Sequence, residues 1–353
     1  MSENVPEDTI SVTAPVGEIA NAYALAAERE LSLSQLTRAA WKLLLENQEM
    51  VSSVRVTEPN LARIKEAEKA KLAFIGTGLT HIAPLQYTPS PAQHTTEKIL
   101  WGQFARFLPM KYTLRILATL ATTPVYLVDW QDAVREHSFS MREHLRTVDV
   151  RHKIPRGSQL SAGFPRGKSK KRDRSMERFI SHYTAIIQSA GVGPVVGMCA
   201  EVGFINVDRE DKKVSFTPEG LQYVMLPNPQ LDSQEDSSDS TSAEEKEFLR
   251  KHVSSKLQED WSFCCNIMSA INLDGAKTSD SLFKAMFDIY VDSNDPYSPT
   301  PNTLRTNIGG ALGRLVDMGL VGRSWEGRNS EFYVTRGDFN PDEQFGRLAE
   351  VVE

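Results

Sequence analysis

Residues 9–14, TISVTA, alternate strictly: Ile10, Val12 and Ala14 face one way and Thr9, Ser11 and Thr13 the other, the period of a strand with one apolar and one polar side. Pro15 ends the run. From Gly17 the period lengthens, because Ile19, Ala22, Leu25 and Ala26 recur at three- and four-residue steps and line one side of a helix. Leu31 interrupts it, Ser32 or Ser34 caps a second helix, and Leu36, Ala39, Ala40, Leu43 and Leu44 form its stripe. Helical stripes return at Tyr112, Ile116, Leu117 and Leu120, at Trp130, Val134 and His137, and at Met176, Phe179, Ile180 and Tyr183, where a helix is expected to run to Ala190. Further stripes are Phe263, Ile267, Met268 and Ile271, then Leu282, Ala285, Met286 and Ile289. A last helix starts at Asn302 or Thr303, carries Leu304, Ile308, Ala311, Leu312 and Leu315, and ends at Gly319. VGFINVDREDKKVSFTPEG (202–220) and LVGRSWEGRNSEFYVT (320–335) each read as two short strands about a polar turn. The fold class is mainly α with short β elements.

A lone strand exposes unpaired backbone groups, so the strand at Thr9–Ala14 needs a partner. The chain offers none before residue 54, and the same strand of a second copy is the economical solution, which predicts a homodimer. ISVTAP followed by a helix and then LSLSQLTRAAWKLLLE resembles the ribbon-helix-helix DNA-binding family over residues 8–49. That resemblance implies base contacts from Thr9, Ser11 and Thr13 in the major groove and phosphate contacts from Ser32, Leu33 and Ser34. Glu30 stands where such proteins usually carry glycine in the turn, and the ribbon face holds small hydroxyls with no Arg or Lys. Three helices followed by a hairpin, at 248–337, resemble the winged-helix fold, a helix-turn-helix variant. Residues 99–229 repeat that plan, with the helix before the hairpin being either Met176–Ala190 or the shorter PVVGMCAEVG (194–203).

The expected organisation is therefore a ribbon-helix-helix domain (1–50), a helical, proline-containing linker (51–98), a first winged-helix-like domain (99–229), an acidic flexible linker (230–247), a second winged helix (248–337) and a tail (338–353). Composition supports a globular chain: 353 residues, 40% hydrophobic. Three cysteines make neither a disulfide framework nor a zinc spacing, and no apolar run has transmembrane length, which predicts a cytoplasmic protein away from membranes. The net charge of −6 argues against a uniformly basic binder, so any DNA footprint must come from segregated charge. Charge is segregated: residues 151–178 hold ten Lys and Arg against Asp173 and Glu177, whereas 231–247 hold seven acids and one lysine.

Catalytic, metal and cofactor signals fail. GFPRGKS (163–169) has Ala162 where a phosphate-binding loop needs glycine, GVGPVVG (191–197) does not follow a strand, and the seven histidines show no ligand spacing. Paired acids, Asp129 with Asp132 or Glu143 with Asp149, are what an acidic chain supplies by chance. The expectation is a non-enzyme without cofactor or metal. Candidate DNA contacts in the basic region are Arg166, Lys168, Lys170, Lys171, Arg172, Arg174 and Arg178. The outer face of the Met176 helix offers Ser181, Thr184 and Gln188 for reading bases, and Arg305, Arg314, Arg323 and Arg328 can grip phosphate around the last helix. That helix also shows a nearly bare face, Gly309, Gly310 and Gly313, suited to close approach of a backbone or a protein partner. The reading is a dimeric, site-specific double-stranded DNA-binding protein, a transcriptional regulator before a plasmid- or virus-type replication or partition protein, or a winged-helix adaptor.

Overall fold

The computed structural model describes residues 82–93, 96–166, 172–188, 193–232, 237–292, 298–326 and 329–335. The ribbon-helix-helix residues Thr9, Ser11, Thr13, Ser32 and Ser34 lie outside them, as do Lys168, Lys170, Lys171, Arg328 and the tail. Residues 82–93, expected within a helical linker, contain no helix. They run extended along the middle of the chain, with the Gln93 amide donating to Asn206 Oδ1 at 2.7 Å and Asn206 Nδ2 donating to the Pro91 carbonyl at 3.0 Å.

In chain order the first elements are α1 (Phe107–Leu120), β1 (Val125–Tyr126), α2 (Leu127–Arg151), α3 (Arg172–Tyr183), β2 (Ile186–Ile187), β3 (Val195–Val196), α4 (Met198–Glu201), β4 (Ile205–Asp208), β5 (Lys213–Phe216) and α5 (Pro218–Met225). Strands β1, β5 and β4 form an antiparallel sheet in that spatial order, with Val125 opposite Val214 and Ile205 opposite Phe216; β2 and β3 pair separately. Helix α1 is buried on every side except at its C-terminal end, where Leu120 is exposed, and Trp130 of α2 donates its indole N–H to the Thr113 carbonyl at 2.9 Å. Helix α2 runs unbroken through His137 and His144, burying Trp130, Val134, Met141, Leu145 and Val148.

Helix α3 stops at Tyr183, seven residues short of the expected Ala190. Thr184 turns its hydroxyl back onto the Ile180 carbonyl at 2.6 Å and is fully buried, and the β-branched pair Ile186–Ile187 leaves the helix for a hairpin with β3. Thr184 is therefore not on an outer face, and Gln188 is exposed beyond the helix at the β2 turn, its amide bonded to the Pro194 carbonyl.

The second group comprises α6 (Ala243–Lys256), α7 (Gln258–Asn272), α8 (Ser279–Tyr290), α9 (Pro301–Asp317) and the hairpin β6 (Val321–Glu326) with β7 (Asn329–Val334). Threonines cap α8 and α9: Thr278 and Thr300 accept from the amides of Ser281 and Thr303. Gly319, at φ +66°, supplies the left-handed residue that lets the chain turn from α9 into β6.

The segment 230–247, expected to be flexible, is anchored at both ends of its described part, with Gln230, Leu231, Thr241 and Glu245 buried and residues 238–239 exposed. Ser242 and Glu245 form a reciprocal capping box that starts α6, and Thr241 and Leu231 are buried. The Glu245 carboxylate meets the Lys111 ammonium at 3.0 Å, with neither side chain exposed. Asn228 and the Ser242 amide donate to the same carboxylate, and Lys111 donates to the Tyr223 and Leu226 carbonyls above the Tyr223 ring. Burial pushes the Lys111 ammonium down to about 8, and Glu245 opposes that shift. Arg115 holds Asp232 by two bonds of 2.6 and 2.7 Å. Two acids of this stretch, Asp232 and Glu245, are engaged by cations of α1, while Asp239, Glu244 and Glu247 face solvent.

Because the lysine meets no second carboxylate at ion-pair distance among the described residues, removing its partner leaves a buried charge. Glu245→Ala is expected to cost about 3–5 kcal/mol of unfolding free energy, measured by urea denaturation, while Lys111→Met with Glu245→Gln together should cost much less.

Candidate nucleic-acid interface

The basic region is built on the end of α2. His152 caps the helix, and Lys153 adopts φ +52°, turning the chain sharply enough for the Ile154 amide to donate to the Asp149 carbonyl at 2.8 Å. The Asp149 carboxylate, 3% exposed, then collects the far side of the loop: it accepts from the Leu160 amide at 2.7 Å, the Ser161 amide at 3.1 Å and the Ser161 hydroxyl at 2.6 Å. A loop pinned at both ends presents Lys153 and Arg156 to solvent in a fixed place. Leu160 and Phe164 bury behind it, and Gly157, at φ +97°, packs so closely on the Arg323 guanidinium that a Cβ would lie 2.8 Å from Nη1.

Helix α3 supplies the other cations. Its stripe Met176, Phe179, Ile180 and Tyr183 is buried. On the outside, Arg172, Arg174 and Arg178 are exposed, with the Arg172 guanidinium 4.5 Å over the Phe139 ring. Two acids lie between them: Asp173 is exposed, and Glu177 faces Arg135 at 3.4 Å, where Arg135 also holds Asp132 at 2.7 Å. Ser181 donates its hydroxyl to the Arg178 carbonyl at 3.0 Å. Beyond Arg178, burial and then the Arg178 charge hold His182 below the usual imidazole range, so the ring is neutral at pH 7. It lies edge-on to Trp101, 5.0 Å between centroids, and Trp101 is 49% exposed. Arg166 is exposed as well, its amide bonded to Ser175 at 3.0 Å.

The structure thus brings together Arg172, Arg174, Arg178 and Ser181 on one helix, and separates them from several other expected contacts. Arg314 is the largest correction. It is fully buried, bonded to Asp260 at 2.6 Å and to the Phe104 carbonyl at 2.9 Å, so it cannot reach phosphate. Burial raises the Asp260 carboxyl while Arg314 and the Leu100 amide oppose the rise. Arg305 is exposed but engaged, 2.9 Å from Asp280 and 3.7 Å over the Phe283 ring. Arg323 is half-buried, between the Trp325 and Phe332 rings, and donates to Ser330.

The glycine face is also reassigned. Gly310 and Gly313 are covered by this chain's own segment 102–105, and a Cβ on either would collide with the Gly102 or Ala105 carbonyl. The Gly102 amide donates to Asn307 Oδ1 at 3.1 Å. The backbone approaching closely is internal, so these two glycines offer nothing to an external partner; only Gly309 is open.

The β4–β5 tip mixes signs. Asp208 accepts from the amides of Glu210 and Asp211, and Lys213 pairs with Asp211 at 3.0 Å, which leaves little net charge for phosphate. Among the described residues no group of three His, Cys, Asp or Glu side chains could hold a metal ion, and no helix is long and apolar enough to cross a membrane. No protein-family model, curated protein or solved structure matches the chain.

Sequence reasoning missed Asp149 as the group that positions the loop. The signal was present only as an acid at the end of a helix before a run of turn residues. Replacing it breaks three hydrogen bonds and unpins Lys153 and Arg156. Asp149→Ala is expected to lower stability by about 1–3 kcal/mol and to raise hydrogen exchange at the Leu160 and Ser161 amides selectively; uniform exchange across the chain would count against a local role.

Proposed function

We propose that the chain is a homodimeric, site-specific double-stranded DNA-binding protein that regulates transcription. The observation that carries this reading is the set of exposed arginines on α3, Arg174 and Arg178 foremost, together with the exposed Lys153 and Arg156 of the pinned loop, in a chain whose net charge is −6. Several acids that produce that negative total are withdrawn from the surface: Asp149, Glu245, Asp260 and Asp317 are all buried. Glu245, Asp260 and Asp317 are paired with Lys111, Arg314 and Arg106, so their burial leaves the net charge of the surface nearly unchanged. Phosphate steering rests on the local excess of exposed Arg172, Arg174 and Arg178 over Asp173 and Glu177 on α3.

The arrangement α7–α8–α9–β6–β7 supports a winged-helix-like second half, and the order α1–β1–α2–α3–β2–β3–α4–β4–β5 supports a more elaborated version of the same plan in the first. The ribbon expected at Thr9–Ala14 supplies dimerisation and groove contact in this reading. A replication or partition role uses the same parts and is favoured where the cognate DNA consists of iterated repeats. The adaptor reading, which rested on the glycine face and the net acidity, loses the first of these, since Gly310 and Gly313 are already covered.

Two experiments test the proposal. Replacing Arg156, Arg166, Arg174 and Arg178 with Ala should weaken binding to all duplexes alike, and the log–log salt slope should flatten by about 0.9 for each phosphate no longer neutralised. An unchanged slope, by fluorescence anisotropy between low and moderate salt, removes α3 and its loop from the interface. The triple change Thr9→Ala, Ser11→Ala, Thr13→Ala should preserve the dimer and nonspecific affinity and abolish preference for the cognate site over scrambled DNA in competition binding. Full discrimination by the triple variant would leave the ribbon as a dimer clasp only.

A further inference from the structure

Between the loop 156–163, the segment 102–106 and the side of α9 lies a cavity of about 380 Å³, within the range of small-ligand sites. Its walls are of two kinds. Phe332, Leu312 and Val316 supply apolar lining, and Arg323 and Arg106 supply cations, Arg323 lying over the Phe332 ring itself. The Arg106 charge is committed, because its Nε lies 3.0 Å from Asp317. Arg323 has no carboxylate among the described residues: Nη2 donates to the neutral Ser330 hydroxyl at 2.9 Å, and the buried Nε–H has no acceptor. Trp325 and Phe332 fix the plane of that guanidinium, at 4.4 and 5.1 Å from their rings. A rigid, half-desolvated guanidinium with no carboxylate beside it among the described residues is a preorganised anion receptor.

Gly309 adds an independent observation. Gly310 and Gly313 are required by the close approach of residues 102–105, but a Cβ at Gly309 would meet nothing within 4 Å. Packing does not demand glycine there, and an interior helical glycine disfavours the helix relative to alanine. Gly309 lines the cavity. Its missing side chain leaves room.

We infer that this cavity binds a small molecule with a phosphate or carboxylate group on an apolar, planar body, the anion on Arg323 and the body against Phe332, Leu312 and Val316. The site joins the segment leading into α1 to the α9–β7 unit, and a ligand there would bear on both. The inference does not depend on DNA binding. A duplex phosphate could reach the same guanidinium, so the two sources must be separated.

The test is isothermal titration of the full chain with phenyl phosphate and with benzoate, using inorganic phosphate and benzyl alcohol as half-ligands. At least one of the two complete probes should bind saturably at one per chain, ten-fold or more tighter than either half. Arg323→Gln should weaken it at least ten-fold. Gly309→Leu should do the same while leaving the melting temperature at or above that of the parent, so that loss of binding is not loss of fold. No saturable binding by either probe, or binding unchanged in Gly309→Leu, overturns the inference. Displacement of the bound probe by saturating duplex DNA also overturns it, by making the cavity a phosphate subsite of the DNA interface; undiminished binding in the presence of DNA sustains it.

Discussion

The buried pair Asp260–Arg314, 2.6 Å apart and fully withdrawn from solvent, is the constraint on which the described structure turns. Two charges in a low-dielectric interior persist only when the remaining lone pairs and protons are also largely used. Here the further bonds go to one strip of chain, while Asp260 Oδ2 and Arg314 Nε have no hydrogen-bond partner among the described residues. Asp260 accepts from the Leu100 amide at 2.9 Å, and Arg314 donates to the Phe104 carbonyl. Three residues further, Asp317 takes the Phe107 amide at 2.7 Å and the Arg106 guanidinium, satisfying an orphan donor at the start of α1. Residues 100–107 are thereby drawn down onto α9, which can receive them only because Gly310 and Gly313 have no side chains.

Much follows from that strip. It carries the chain from the extended segment into α1, and α1 is the centre of the first half, with Lys111 and Arg115 reaching out to Glu245 and Asp232 of the connector. Ser240 and Thr241, in the same connector, bond back to Asp317 at 2.8 and 2.6 Å. His252 closes a further link, its Nε2 2.7 Å from the Val202 carbonyl. The two helical groups are therefore tied by charge-assisted bonds at several points. The cavity beside Arg106 and Arg323 exists because the strip is held flush against α9 while the loop 156–163 stands slightly off it.

What the sequence made legible was periodic. The stripes at Phe263–Ile271, Leu282–Ile289 and Leu304–Leu315 lie in α7, α8 and α9, and both hairpins sit where alternation and turn residues put them. Helix α5 was not anticipated, and two further helices escaped in different ways. Helix α6 was hidden by composition: Asp, Glu and Ser dominate 231–247, yet Ser242 and Glu245 stand at capping-box spacing, a local signal that average acidity concealed. The end of α3 was missed because Thr184, Ile186 and Ile187 fit a helical wheel as well as a strand, and only tertiary contacts decide between them. Burial of charge is the least legible feature. Nothing in the local sequence distinguishes Arg314, wholly interior, from Arg305 nine residues earlier, which stands in solvent over Phe283. Periodicity does not see a carboxylate fifty-four residues away.

That blindness has a consequence for function as well as fold. A formal charge count weights every ionisable residue equally, whereas a polyanion approaching the surface feels mainly those that water and ligand can reach. Asp260 and Asp317 are neutralised by Arg314 and Arg106 inside the protein, and Glu245 by Lys111, so these pairs cancel from the external field at no cost to the cations of α3. Asp149 goes further, since its negative charge is consumed in holding the loop that displays Lys153 and Arg156. The interior acids are thus structural supports, and each buried pair removes as much positive as negative charge. An acidic total of −6 is therefore compatible with a polyanion partner only through the local segregation of cations on α3 and the loop after α2.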